Sequence, residues 1–251
     1  MISIVILTKN EEKNILDCLD SVSWADEIVV VDDFSIDRTV EVIKMFSSKV
    51  KVFKNNLDGD FSAQRNFALS KTTKDWVLFI DADERVSKEL REEINSILIE
   101  EKNRPQNIGF YISRKDIMWG KILKHGETGN IKLLRLAKRD VGIWQGRVHE
   151  EWAINGKVSE LEEKIIHYPH QTVNEFLEEI NFYTTIRAKE LYDKKTEITL
   201  KDIILYPKAK FLLNFFLKLG FLDGLEGLIF AILMSFHSFL VRAKLWIYSQ
   251  K

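Results

Sequence analysis

The sequence predicts an α/β fold built on a mostly parallel central sheet, and three observations carry that expectation. Residues 2–7, 27–31 and 76–80 form largely apolar runs rich in β-branched residues, as strands buried on both faces of a parallel sheet do. Segments with apolar residues at helical spacing separate these runs. Each run ends in a polar cluster, and ligands of such sheets bind beyond the carboxyl ends of the strands.

Between the first two runs, Ile15, Leu16, Leu19 and Val22 form one apolar stripe of a helix. A helix near 39–46, a short strand at 50–53 and a helix near 62–70 lead to the third run. This alternation implies right-handed crossovers and a doubly wound sheet. After a helix near 88–101 the pattern changes: residues 109–114 and 131–137 read as strands around a glycine-rich stretch at 120–129. The segment 144–152 is expected to complete a pocket. A charged amphipathic helix covers 173–191, and a separate apolar, basic region begins at Lys201.

At 251 residues, 45% of them apolar and 30% charged, the chain has the balance of a folded protein with a sizeable core. One α/β domain with a C-terminal appendage is the expected organisation. Cys18 is the single cysteine, so no disulfide forms within the chain. The first strand-like run starts at Ile2 without a basic leader, which leads to the expectation of a reducing cytoplasm. A net charge of -1 makes no case for nucleic acid as a partner. The charge is uneven, however: from Lys201 onward seven Lys and Arg stand against three Asp and Glu.

The three strand ends hold the candidate chemistry. Asp81 and Asp83, at i and i+2, have the spacing to share one hard cation directly or through its water, and Mg²⁺ or Mn²⁺ suits oxygen ligands. Such a cation would neutralise charge on a leaving diphosphate. The alternative is an acidic turn favouring a helix near Ser87. Asp32 and Asp33 can accept hydrogen bonds from a base or ribose, or else belong to a helix cap with Ser35 or Asp37. Thr8 and Glu11 satisfy the T-x-x-E capping-box pattern, and Arg65 can pair with phosphate oxygens or lie on the surface.

Read together and in order, I-V-I-L-T-K-N-E-E, I-V-V-V-D-D-F-S-I-D-R-T, A-Q-R-N-F-A and V-L-F-I-D-A-D-E resemble the family 2 glycosyltransferases of the GT-A fold. The resemblance is dense over about the first 90 residues. It implies a nucleotide diphosphate sugar, such as a UDP-sugar, as donor. Thr8, Asn10 and Glu11 would then line the nucleotide pocket, Asp32 and Asp33 would contact base or ribose, and Arg65 would approach the donor. Asp81 and Asp83 match the family's D-x-D metal and diphosphate motif. Phe34 stands where many members have glycine. The G-R-V-H-E-E-W segment and the K-L-G-F-L-D-G-L-E-G-L run resemble bacterial enzymes that add a sugar, glucose by that resemblance, to the lipopolysaccharide inner core or a related lipid-linked glycan. A glycosyltransferase domain over 1–200 follows, with a donor half at 1–103 and an acceptor half at 104–200, then 201–251.

Inverting transfer needs a group that takes the acceptor hydroxyl proton. His149, Glu150 and Glu151 are the candidates. With 145–152 extended, side chains alternate, so Glu150 and Glu151 cannot both face the pocket. Glu150 is taken as the base, His149 as positioning acceptor or diphosphate, and Glu151 as a structural ion pair. Trp119, Trp144 and Trp152 either stack on sugar rings or pack in the core.

The longest charge-free stretch near the C-terminus, 227–241, has 15 residues, short of the roughly 20 that cross a bilayer. With Lys208, Lys210, Lys218, Arg242 and Lys244 nearby, this region is read as lying on an anionic membrane, or as a homo-oligomer interface or helical cap. A sugar-nucleotide pyrophosphorylase would need a glycine-rich loop where T-K-N-E-E stands. A dehalogenase-type phosphatase would place D-x-D after its first strand. A non-catalytic nucleotide-sugar-binding protein stays open at this point.

Overall fold

The computed structural model describes residues 1–47, 49–129, 131–147 and 150–250. The chain forms two compact units, Met1–Arg114 with Lys132–His167, and Lys115–Ile131 with Tyr168–Lys251.

The first unit opens with β1 (Ile2–Thr8), α1 (Ile15–Ser21), β2 (Glu27–Asp32), α2 (Thr39–Phe46), β3 (Val50–Lys54), α3 (Phe61–Ser70) and β4 (Trp76–Asp81). β1 pairs in parallel with both β2 and β4, and β2 pairs in parallel with β3. β1, β2 and β4 have no polar face because neither of their faces sees water. Ile4, Ile6, Val30, Leu78 and Ile80 join one core cluster, while Val5, Val29, Val31, Val77 and Phe79 join the other. The α1 stripe is real at Ile15, Leu19 and Val22, but Leu16 is exposed.

β5 (Glu84–Arg85) and α4 (Lys88–Asn103) follow, and the Ser87 hydroxyl caps α4 by accepting from Leu90 N at 3.1 Å. β6 (Gly109–Met118), the short β7 (Lys121–Leu123) and β8 (Lys132–Lys138) come next. The sheet order is β3-β2-β1-β4-β8-β6-β11-β5, where β11 is Val158–His167. β3, β2, β1 and β4 run parallel, and β8 turns the sheet mixed by pairing antiparallel to β4 and β6.

β9 (Gly142–Gln145) and β10 (Glu151–Ile154) pair antiparallel, Trp144 opposite Trp152. The condition of an extended 145–152 therefore does not hold, since Gln145 and Glu151 face each other in an antiparallel pair. β11 was not expected. Its glutamates mask a strand in which Leu161, Ile165 and His167 are buried at alternate positions.

The second unit contains β7, α5 (Val173–Asp193), α6 (Leu200–Leu212), a π-helical turn (Leu213–Leu217), a 3₁₀ turn (Gly220–Asp223) and α7 (Gly224–Ser249). Thr172 and Glu175 form a capping box for α5. Phe176 and Ile180 of α5 pack with Phe230 and Leu233 of α7. Lys244 Nζ staples α7 to α5, donating to Asn181 O at 2.7 Å and Thr184 Oγ1 at 2.8 Å. By length and composition, Gly220–Ser249 is long and apolar enough to cross a bilayer, with mean hydropathy 1.7.

Candidate active site

The parallel register sets the acidic strand ends side by side: Thr8 is opposite Asp32, and Leu7 is opposite Asp81. Asp33 N donates to Thr8 O at 2.9 Å, carrying the β1–β2 ladder one residue past the sheet. Asp33 itself receives Lys9 Nζ at 2.6 Å and Leu57 N at 3.0 Å, so both carboxylate oxygens are fixed. Asp32 is fully buried and accepts from Ser35 N. Asn10 adopts φ 55°, and its side chain accepts from Ile36 N at 2.9 Å, lacing the first strand end to the second.

The capping-box alternative does not describe the first turn, whereas at the second Asp37 Oδ1 accepts from Thr39 N at 3.0 Å, at the start of α2. α1 begins only at Ile15, and Glu11 accepts from Asn14 Nδ2 at 2.8 Å instead of capping with Thr8. Thr8 Oγ1 is buried and makes no hydrogen bond among the described residues. Burial pushes the Glu11 carboxyl up to about 7. Phe34 has φ 52°, a left-handed conformation that suits glycine, which accounts for the glycine many family members carry there.

At the β4 end, Asp81 is bound from two sides. Arg65 Nη2 reaches Oδ1 at 3.1 Å, and Arg135 Nη2, from β8, reaches Oδ2 at 2.8 Å. Burial works against ionisation of Asp81, but Arg135 and Arg65 hold its carboxyl far below the usual range. Asp83 lies 3.1 Å from His167 Nε2. There too burial opposes the charge and the imidazole outweighs it, lowering the Asp83 carboxyl. Glu84 Oε2 accepts from Asp81 N at 2.8 Å, which fixes the D-A-D-E turn.

Arg65 is buried on α3, not on the surface, and its Nε donates to Glu150 Oε1 at 2.7 Å. The D-x-D strand end and the candidate base thus meet at one guanidinium. Arg65 is held flat by Trp144, with Cζ 4.8 Å from the ring centroid. Its neighbours on α3 are equally engaged. Gln64 Oε1 accepts from Asn55 Nδ2 at 2.6 Å, while Asn66 exchanges two hydrogen bonds with the Trp144 backbone at 2.8 and 2.9 Å.

Trp144 and Trp152 are buried and stacked at 5.3 Å, each edge-on to Phe79, so they form core and not a sugar platform. Trp119 packs against Phe176 in the second unit. Glu151 is exposed and makes no ion pair among the described residues, so the structural ion pair expected of it is absent there. His149 lies outside the described residues.

Two residues of the cluster were not anticipated. Arg135 is a charge inside the otherwise apolar L-L-R-L-A stretch, a signal that a strand carries a buried cation. His167 closes a strand that itself went unread.

The model of the family described as glycosyl transferase family 2 matches residues 3–144. The chain belongs to that family. This glycosyltransferase has the α/β, GT-A-type fold, with strand order 3-2-1-4 in its parallel part. It is 30% identical to an uncharacterised glycosyltransferase of Rickettsia typhi, over 97% of this chain and 86% of the relative. It is 26% identical to the lipopolysaccharide core biosynthesis glycosyltransferase LpsC of Rhizobium meliloti, over 98% of this chain and 92% of LpsC. Among solved structures it is similar to S. aureus TarS 1-349 in complex with UDP-GlcNAc, with 17% identity, TM-score 0.49 and coverage of 99% and 91%.

Proposed function

We propose that this glycosyltransferase moves a hexose, with inversion, from a UDP-sugar to a hydroxyl of a lipid-linked glycan such as the lipopolysaccharide inner core. The observation that carries the reading is the Arg65 bridge between Asp81 and Glu150. It ties the end of the donor-side sheet to a carboxylate that can serve as base.

In this reading Asp32 and Asp33 meet the nucleoside beside Thr8, Asn10 and Glu11. Arg65 faces the diphosphate, where a guanidinium stabilises developing anionic charge. Glu150 keeps Oε1 on Arg65, which orients the carboxylate, and Oε2 takes the acceptor proton as the hydroxyl attacks. His149 remains a candidate to position acceptor or diphosphate.

Mg²⁺ or Mn²⁺ fits Asp83 with His167, a carboxylate and an imidazole 3.1 Å apart, and the imidazole favours Mn²⁺. Asp81, the other expected ligand, accepts one arginine hydrogen bond on each oxygen, so a cation there would compete with Arg65 and Arg135 for its charge. The cation would supply positive charge to the leaving diphosphate. Among the described residues no three His, Cys, Asp or Glu side chains converge, so donor oxygens and water would complete its shell.

A panel of nucleotide sugars screened by diphosphate release tests the reading, with calorimetry of UDP and Mn²⁺ beside it. UDP-glucose is expected to turn over. Binding without turnover of any donor would favour a non-catalytic nucleotide-sugar-binding protein.

The second unit supplies the means of reaching a lipid-linked acceptor at the cytoplasmic face. Phe216, Leu217, Leu222 and Leu225 are exposed around the turns between α6 and α7. Asp223 is engaged by His125, Glu226 by Lys121 and Glu127 by Lys210 and Lys218, so the exposed Lys208 adds positive charge to the surface. Such a surface suits the interface of an anionic membrane. Cosedimentation with anionic vesicles is expected for the wild type and lost in a Leu217→Asp, Leu222→Asp variant. Self-association that persists without vesicles and disappears in that variant would instead show a homo-oligomer interface.

A further inference from the structure

Five side chains alternate in charge across the first unit. Glu84 Oε1 lies 3.5 Å from Arg135, Arg135 is 2.8 Å from Asp81, Asp81 is 3.1 Å from Arg65, and Arg65 is 2.7 Å from Glu150. They come from β5, β8, the end of β4, α3 and the β9–β10 turn. The two arginines are nearly inaccessible, at 5% side-chain exposure each, whereas Asp81 is 32% exposed. Each arginine keeps a buried Nη1 with no hydrogen-bond partner among the described residues.

Stability is a poor reason for this arrangement. Desolvating buried charges costs about as much as their attraction returns, and apolar replacements are often tolerated. Orientation is a better one. Arg65 serves two carboxylates, and a guanidinium prefers to engage one carboxylate through two parallel bonds. Asp81 could offer both oxygens to Arg65 if Oδ2 were not already taken by Arg135.

We propose that Arg135 is a positioning residue for sugar transfer: by occupying Asp81 Oδ2 it limits Arg65 to Oδ1, and so keeps Arg65 shared with Glu150. The proposal rests on the donor-site reading given above. Without Arg135, Asp81 captures Arg65 bidentately, and the guanidinium leaves Glu150. Lysine is not an adequate substitute, because its shorter stem and tetrahedral ammonium do not place a donor where Arg135 Nη2 meets both Asp81 and Glu84.

The test is a double-mutant cycle in the full chain, with Arg135→Gln, Asp81→Asn, both together, and Arg135→Lys. Near-UV circular dichroism checks folding, calorimetry gives UDP affinity with Mn²⁺, and UDP-glucose hydrolysis gives kcat and KM. Arg135→Gln is expected to lower kcat roughly tenfold, yet to cost less than about twofold further in kcat or UDP affinity when Asp81 is already Asn. Arg135→Lys is expected to lose nearly as much as Arg135→Gln. Additive losses overturn the proposal, as does full rescue by lysine, which would mean that Arg135 only balances charge. Should the glutamine variant fail to fold, a folded lysine variant with wild-type kcat still overturns it. A wild-type chain that neither binds UDP nor turns over UDP-glucose overturns the donor-site reading instead, an outcome distinct from additivity.

Discussion

Asp83 Oδ2 and His167 Nε2 lie 3.1 Å apart, although 84 residues separate them in the chain. Asp83 follows β4 and His167 ends β11, so the pair exists only once the mixed half of the sheet has formed. If these two groups hold the cation, His167→Gln should raise the Mn²⁺ concentration for half-maximal activity by roughly 10–100-fold, while excess Mn²⁺ restores turnover. Metal titration of the chelator-treated protein measures this. An unchanged midpoint would remove His167 from the metal site.

Glu150 and Glu151 are adjacent but differ in setting, one bound by Arg65 and the other exposed. Glu150→Gln should reduce transfer by about 10²–10⁴-fold, with UDP affinity kept within about twofold. Glu151→Gln should leave transfer nearly unchanged. Equal losses in the two variants would refute the assignment of the base.

Glu11 predicts a pH dependence. Its carboxyl rises from 4.5 to about 7 on folding, with burial as the main cause. Between those values the folded chain holds a proton that the unfolded chain has released, so stability falls as pH rises through the window. The loss is at most about 3 kcal/mol and is constant above it. Glu11→Gln should match the wild type at about pH 4 and exceed it at about pH 8, by metal-free urea denaturation. Parallel stability profiles for the two proteins would contradict the assigned shift.

Phe34 sits at φ 52° with its ring exposed beneath Lys54. A left-handed conformation costs a non-glycine residue about 1–2 kcal/mol, and glycine returns part of that through its looser unfolded state. Phe34→Gly should therefore stabilise the chain by roughly 0.5–1 kcal/mol, read as a rise in Tm. A fall in Tm would mean that the Lys54 contact outweighs the strain.

The first 90 residues were legible because their signals are local. Runs such as V-V-V-D-D carry both the burial of the strand and the acid at its end, and neighbouring strands need only short crossovers to align Thr8, Asp32 and Asp81. The acceptor side was read less well for a physical reason. Glu160, Glu162 and Glu163 hide β11 because an antiparallel strand with one wet face does not need a continuous apolar run. The pairing of 142–145 with 151–154 went unread because it is marked by stacked tryptophans and not by an Asn-Gly turn. Partners also escape the sequence when they are far apart: nothing near Asp81 announces Arg135, 54 residues on.

The three consecutive residues Gln64, Arg65 and Asn66 reach the β3 exit, the charged centre and the hairpin respectively. Their directions are set by the helical screw, so inserting one residue ahead of Gln64 would swing all three by about 100° and break three junctions at once. The turn after β9 carries no such phase requirement, because Trp144 is already clasped by Asn66. Length variation among relatives is thus expected to fall in that turn and in the loop before Asp60, while α3 keeps its count. The helix acts as the molecule's reading frame, and acceptor preference is free to change around it.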